Sequence, residues 1–479
     1  MSSPPLASPY AIDPNRNKIA PRRNLTAGEW DILIGLMKER RIPALQANGW
    51  MTDAVLERIA QLDHVTRLSL GGSHQLTDGG LKHLARMPRL QHLELNEYPG
   101  GKLTGRGLEV LRHLPELRTF EMTWQAGISD AGLANLAFCE HLESVDLMGT
   151  PAGDGAIQAL VGKPRLRRFK SGRLVTDAGL ALLHQFPMFK KWHGGEIEYS
   201  LMGAERGPTH LVLDGPFTND GLAGLAGLEG VFALGFFRHV SAITADGLKA
   251  LTEFPNLGSL GCEGNLCDDT AMRHIAALPR LRVLMAQGTV AGDDGFAALS
   301  QSKTIEHIWG RECPNLTGRG FAALAAMPAL RGLAVSCKNV NDEALSRLPL
   351  FPSLRELMPM DVPDDGFRHV GRCRQLEGIW LMYCRDTTDV ATEHIAGLRG
   401  LKTYYAGKTQ ITGHSLEVLG RMSSLERLEF HECKGVTDAG LVFLTALPRL
   451  REVALHGLPH VTLEGTAVFP AHVRVDYSV

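Results

Sequence analysis

The side chains most able to do chemistry in this chain recur too regularly to form one site. Aspartate follows a hydroxyl residue in Thr77-Asp78, Ser129-Asp130, Thr176-Asp177 and Thr437-Asp438, and each pair opens the same phrase, hydroxyl-Asp-x-Gly-Leu. A carboxylate that returns once per repeat reads as a helix cap, where free amides and the helix dipole favour negative charge, and not as a general acid or base. The 19 histidines are scattered without metal-ligand spacing, and the eight cysteines form no CxxC pair, so they read as reduced, buried thiols. GxSxG, GxxxxGK[ST], HExxH and a strand-to-helix GxGxxG are all missing from the sequence. The expectation is no catalytic centre, no cofactor and no metal.

Recognition chemistry is better represented than catalysis. Aligning the short alternating segments and reading the middle outward residue of each gives a column from Ser69 through Glu94, Glu121, Asp146, Lys170, His193, Val212, Gly235, Gly261, Met285, Trp309, Ala334, Met358, Trp380, Tyr405 and Glu429 to Ala454. Glu94, Glu121 and Asp146 make an acidic zone, and Arg168, Lys170, Lys191 and His193 a basic one. Met285, Trp309, Met358, Trp380 and Tyr405, flanked by His307, Arg311, Met360 and Met382, make an apolar stripe. Aromatic residues, Met and Arg are the types enriched where proteins bind proteins, so the stripe is the expected docking site.

The elements that must carry this column come from a repeat of about 25 residues. Leu76 to Leu95 (LTDGGLKHLARMPRLQHLEL) returns almost intact as Val436 to Leu455 (VTDAGLVFLTALPRLREVAL). The hydroxyl residue caps a helix, and Leu81 and Leu84 point inward. Pro88, Pro115, Pro279 or Pro448 ends the helical half, and Leu90-Gln-His-Leu-Glu-Leu95 alternates as a strand. Stacked copies bury one continuous core, with strands in a parallel sheet. About sixteen strands are expected, one of them starting near Phe189.

Four regions follow. Residues 1–24, rich in Pro and Ser, predict no regular structure, and 25–50 predict a helical cap opened by the capping box Thr26-Ala-Gly-Glu29. Residues 51–459 hold the repeats, with an irregular coil near 194–216, and 460–479 end in a capping strand. Net charge is −2, no apolar run reaches membrane-spanning length, and the first residues lack a secretory apolar core. These features predict a soluble, cytoplasmic, monomeric protein that binds neither nucleic acid nor membrane.

The copies Leu425-Glu-Arg-Leu-Glu-Phe-His-Glu-Cys433 and Leu376-Glu-Gly-Ile-Trp-Leu-Met-Tyr-Cys384 resemble the cysteine-containing class of leucine-rich repeats, known from the recognition halves of F-box proteins and from uncharacterised bacterial proteins. The resemblance implies an α/β leucine-rich repeat solenoid, a right-handed superhelix with a concave parallel sheet and helices on the convex side. Cys313, Cys384 and Cys433 then take a structural turn position that Thr150, Thr289 and Thr409 fill in other copies. The stretch 25–48 is too short for an F-box. The leading expectation is a non-enzymatic scaffold that holds a protein or peptide on its concave face. A substrate-recognition adaptor in a ubiquitin-ligase-like system is the second reading. An enzyme using His193, Glu196, Glu198 and His210 near 194–208 is the third.

Overall fold

The computed structural model describes residues 8–13, 17–97, 101–194, 197, 199, 201, 207–382 and 384–478. The chain divides into two compact units, Met1–Glu196 with Gly207–Asn256, and Ile197–Arg206 with Leu257–Val479. Each is a stack of leucine-rich repeat coils, in which a short strand alternates with a helical segment and consecutive strands pair in parallel.

The phrase hydroxyl-Asp-x-Gly-Leu is an interlock between neighbouring coils as well as a cap. Thr77 caps the helix Asp78–Leu81 by accepting from the Gly79 amide at 3.1 Å. At the same time its own amide and hydroxyl donate to Asp53 of the preceding coil, at 2.8 and 2.6 Å. The same pair of bonds joins Thr176 to Asp154 and Thr218 to Asp177 in the first unit. In the second it joins Thr317 to Asp293, Thr412 to Asp389 and Thr462 to Asp438. The glycine of the phrase leaves room for that aspartate: a methyl group on Gly179 would overlap the Asp154 carboxylate, and one on Gly221 that of Asp177.

Below the interlock the periodic leucines form the core, with Leu81, Leu93, Leu133, Leu284, Leu333 and Leu441 at no more than 1% exposure. The ninth-position residues behave as expected. Thr150 Oγ1 donates to the Leu147 carbonyl at 2.6 Å and Cys313 Sγ to the Gly310 carbonyl at 2.9 Å, the same bond from two side chains. All eight cysteines are free and buried, and burial pushes the Cys313 thiol up to about 12.

Three expectations change. Residues 10–21 are structured: Tyr10–Asp13 pairs antiparallel with Lys18–Pro21, which joins Ala44–Gln46 in parallel and so continues the sheet of the first unit past the capping helix Ala27–Glu39. Proline composition misleads here because Pro9 and Pro21 flank or end strands, where no ladder amide is required of them. The strand expected at Phe189 is absent, since Pro187 takes the first position of a helical turn, Pro187–Lys190. The coil near 194–216 is regular on its return: His210–Leu213 pairs directly with Arg168–Lys170, and Asp177 reaches Thr218. Those two residues lie 41 positions apart, against 22 to 26 at other interlocks, so extra length is inserted between two coils whose strands pair directly.

The interlock predicts strong coupling. Asp154→Ala should cost about 1–3 kcal/mol, because it leaves the Thr176 amide and hydroxyl without their acceptor. Gly179→Ala should be costly in the wild-type protein and markedly less so beside Asp154→Ala, as read by denaturant unfolding of the double-mutant cycle. Additive losses would show that the carboxylate does not fill the glycine's space.

Candidate functional site

In the second unit the outward column falls in register across the sheet. Gly261, Met285, Trp309, Ala334 and Met358 pair in sequence, as do Trp380, Tyr405, Glu429, Ala454 and Asp476. Their strand neighbours Leu284, Ile308, Leu333, Ile379 and Tyr404 point the other way into the core. Met285, Trp309, Arg311, Trp380, Met382 and Tyr405 are half-buried. The Trp380 ring lies along its own strand over Gly378, and the Tyr405 ring over Gly407, where a β-carbon would collide with either ring.

Three residues of the stripe are not at the surface. Met358 and Met360 are each 1% exposed and His307 is 3% exposed. For the two methionines the reason is a contact that no repeat period encodes: Leu201, from the insertion, is itself 2% exposed and forms one cluster with Ala334, Met358 and Met360, against which Trp309, Trp380 and Met382 pack. The Leu201 amide donates to Glu356 Oε2 at 2.9 Å. Burial raises the Glu356 carboxyl and lowers His307 to about 4, the nearby Arg331 adding to the latter. His307 Nδ1 lies 3.8 Å from Glu356 Oε2 and makes no hydrogen bond among the described residues, and neither does the buried Trp309 Nε1.

Beside this cluster the sheet face opens into a cavity of about 960 Å³, lined by Tyr199, His307, Glu356, Trp380, Tyr405 and Glu429 among others. Its charged border is largely paired across adjacent strands. Glu377 meets Lys402 at 2.6 Å and Arg355 at 3.7 Å, and Glu452 meets Arg427 and Arg474 at 3.8 and 3.5 Å. Sequence reading missed Glu356, these border pairs and the insertion's role. The alternation Ile197-Glu-Tyr-Ser-Leu201 was the available trace of an extended segment with one apolar side.

The charged zones lie in the first unit, where Glu94, Glu121, Asp146 and Lys170 occupy one register on successive strands. Lys170 Nζ sits 3.1 Å from Asp146, so the acidic and basic zones partly neutralise each other. Arg168 belongs to the same strand as Lys170. Lys191 and His193 do not join that face: both are exposed beyond the helical turn Pro187–Lys190, with His193 Nε2 3.5 Å from the Pro187 carbonyl. Glu196 and Glu198 of the enzyme reading lie outside the described residues. Among those described, no cluster of three or more His, Cys, Asp or Glu could hold a metal, and no helix is long and apolar enough to cross a membrane.

One further surface feature of the first unit escaped the outward column. Trp124, at φ 62° and 42% exposed, meets Phe237 edge to face at 5.8 Å, with the Arg238 guanidinium over both rings. It lies three residues past Glu121, at the end of the strand, where the alternation that defines the column no longer applies.

The acidic column carries a pH-dependent prediction. Burial, then Glu94 and Asp146, raise the Glu121 carboxyl above its ordinary 4.5, with Lys170 opposing. The charged form therefore costs the fold stability at neutral pH, and protonation relieves that cost as pH falls through the raised value. Glu121→Gln should stabilise the protein at pH 7 by about 0.5–1 kcal/mol. In urea titrations that gain should shrink with acidification and be gone below 4.5.

No protein-family model matches the chain. Over 116 residues it is 28% identical to ATP synthase subunit s, mitochondrial, of Rattus norvegicus, a match covering 24% of this chain and 58% of that protein, so the chain spans little more than half of that relative's length. Among solved structures it is similar to a chain of the yeast Rad7 and Elc1 complex, at 15% identity and TM-score 0.36, covering 94% of this chain and 88% of that one. It is also similar to a leucine-rich repeat protein of Leptospira interrogans, at 14% identity and TM-score 0.34, covering 93% and 98%. Overlaps this loose carry no functional inference. The coils, interlocks and parallel strands of the chain itself give it a leucine-rich repeat fold.

Proposed function

We propose that the outward sheet face of the second unit is a docking site for a protein or peptide, and that the chain works as a non-enzymatic interaction scaffold. The observation that carries this reading is the cavity of about 960 Å³, lined by Trp380, which packs against the Leu201 cluster, by Tyr405 and by paired charges. Aromatic and Met side chains give contact area at low entropic cost, while border ion pairs select orientation more than affinity. Mixed charge along the border and a net charge of −2 favour a peptide over a polyanion.

Binding fits the cavity better than turnover does. Ser353, a hydroxyl in its lining, donates to the Pro328 carbonyl at 2.7 Å, and no cysteine lines the cavity among the described residues. His307 is held neutral and lies beyond hydrogen-bonding distance of Glu356.

Selection of a displayed library of random linear peptides tests this reading. Wild-type protein should enrich a binding family, and Trp309→Ala/Trp380→Ala should weaken the enriched peptides about 30-fold or more while unfolding cooperatively near the wild-type midpoint. Undiminished binding by a folded double variant would remove the site from this face.

A further inference from the structure

The insertion already shows what the groove takes. Leu201 fills a socket made by Ala334, Met358 and Met360 under Trp309, Trp380 and Met382, and only 2% of it remains exposed. Its backbone amide supplies the hydrogen bond to Glu356, at 2.9 Å. Two positions earlier, Tyr199 lines the cavity half-buried, close enough to Arg282 and Glu306 for their charges to act on its hydroxyl, while burial raises that hydroxyl's pKa. In an extended chain, positions two apart face the same side, which matches a tyrosine and a leucine both entering the groove.

Each contact is of a kind that a separate peptide could supply. The Glu356 carboxylate is largely withdrawn from water, and His307, 3.8 Å away, is held neutral, so a donor to the carboxylate is favourable; a main-chain amide provides one without specifying a side chain. The apolar socket then reads a leucine, and the Arg282–Glu306 pair, at 2.6 Å, lies beside an aromatic hydroxyl. None of these contacts belongs to the repeat interlock, so the sheet holds its register without them.

From this we infer that Tyr199 and Leu201 are an intramolecular ligand of the groove, and that its external ligand is an extended peptide with tyrosine and leucine two positions apart, which binds by displacing them. The inference rests on the docking reading above and narrows it to a sequence pattern. A ligand competing with a tethered copy is weakened by the fraction of time the groove stands vacant.

The test uses the full-length protein and a fluorescein-labelled synthetic peptide with the sequence of residues 194–206, with a scrambled peptide as control. Leu201→Asp should open the socket, leave the unfolding midpoint close to wild type, shift the tryptophan emission to the red, and bind the peptide at least about tenfold more tightly than wild type does. Tyr199→Ala/Leu201→Ala should do the same without adding charge. In either background Glu356→Gln, which replaces a charge-assisted acceptor with a neutral one, should weaken the peptide about fivefold. No binding by the opened variants, binding equal to that of the scrambled peptide, or equal affinity for wild type and opened variants would each overturn the inference. If the library instead yields peptides that need Trp309 and Trp380 but lack the tyrosine and leucine pair, the docking reading stands and this one falls. If neither library nor synthetic peptide binds, both fall.

Discussion

The bond between an aspartate carboxylate and the threonine of the next coil is the constraint on which both units rest. A short helical segment such as Asp78–Leu81 has too few residues to be stable alone, and its first amides need acceptors. The aspartate answers that need from the neighbouring coil, and the glycine of the phrase lets it come close. The interlock supports the sheet register, because each coil is fixed to its neighbour at the helical end as well as along its strand. Substitutions at the interlock test this logic: Asn219 replaces the aspartate in one coil, and its amide accepts from the Thr244 backbone and donates to the Thr244 hydroxyl, at 3.0 and 2.9 Å, so the geometry survives with the hydroxyl's role reversed.

This regularity made the scaffold legible. Leucine spacing fixed which residues face inward, and within each unit the outward column lies in register along the paired strands, from Ser69 to Gly235 in the first, with His193 the exception, and from Gly261 to Met358 and Trp380 to Ala454 in the second. The exception is instructive: Phe189-Lys-Lys-Trp192 has the alternation of a strand, but Pro187 sets a helical backbone two residues before it. Local pattern and local turn chemistry disagreed, and the turn prevailed.

What sequence could not supply was non-local. Met358 and Trp380 occupy equivalent outward positions, yet one is buried and the other half-buried, because Leu201 arrives from more than 150 positions away, as the 155-residue separation of its bond to Glu356 records. No periodic argument contains that contact. The charged zones have a similar origin, since listing Glu94, Glu121, Asp146 and Lys170 by sign conceals that Lys170 and Asp146 face each other across a strand pair. A solenoid sequence announces its frame through repetition, while insertions and cross-strand pairs set the properties of its surface.

The antiparallel strand Tyr10–Asp13 has a consequence for how such a frame avoids growing. Every coil interface presents a parallel ladder that another copy could in principle extend, which makes a repeat stack a template for open-ended fibres. Because Tyr10–Asp13 runs against the repeat strands, a coil arriving with repeat polarity would meet it antiparallel, a hydrogen-bond pattern different from the parallel ladder that joins the coils. The first described strand of the unit thus differs from the repeats in polarity, and it is assembled from the residues whose composition looked least structured.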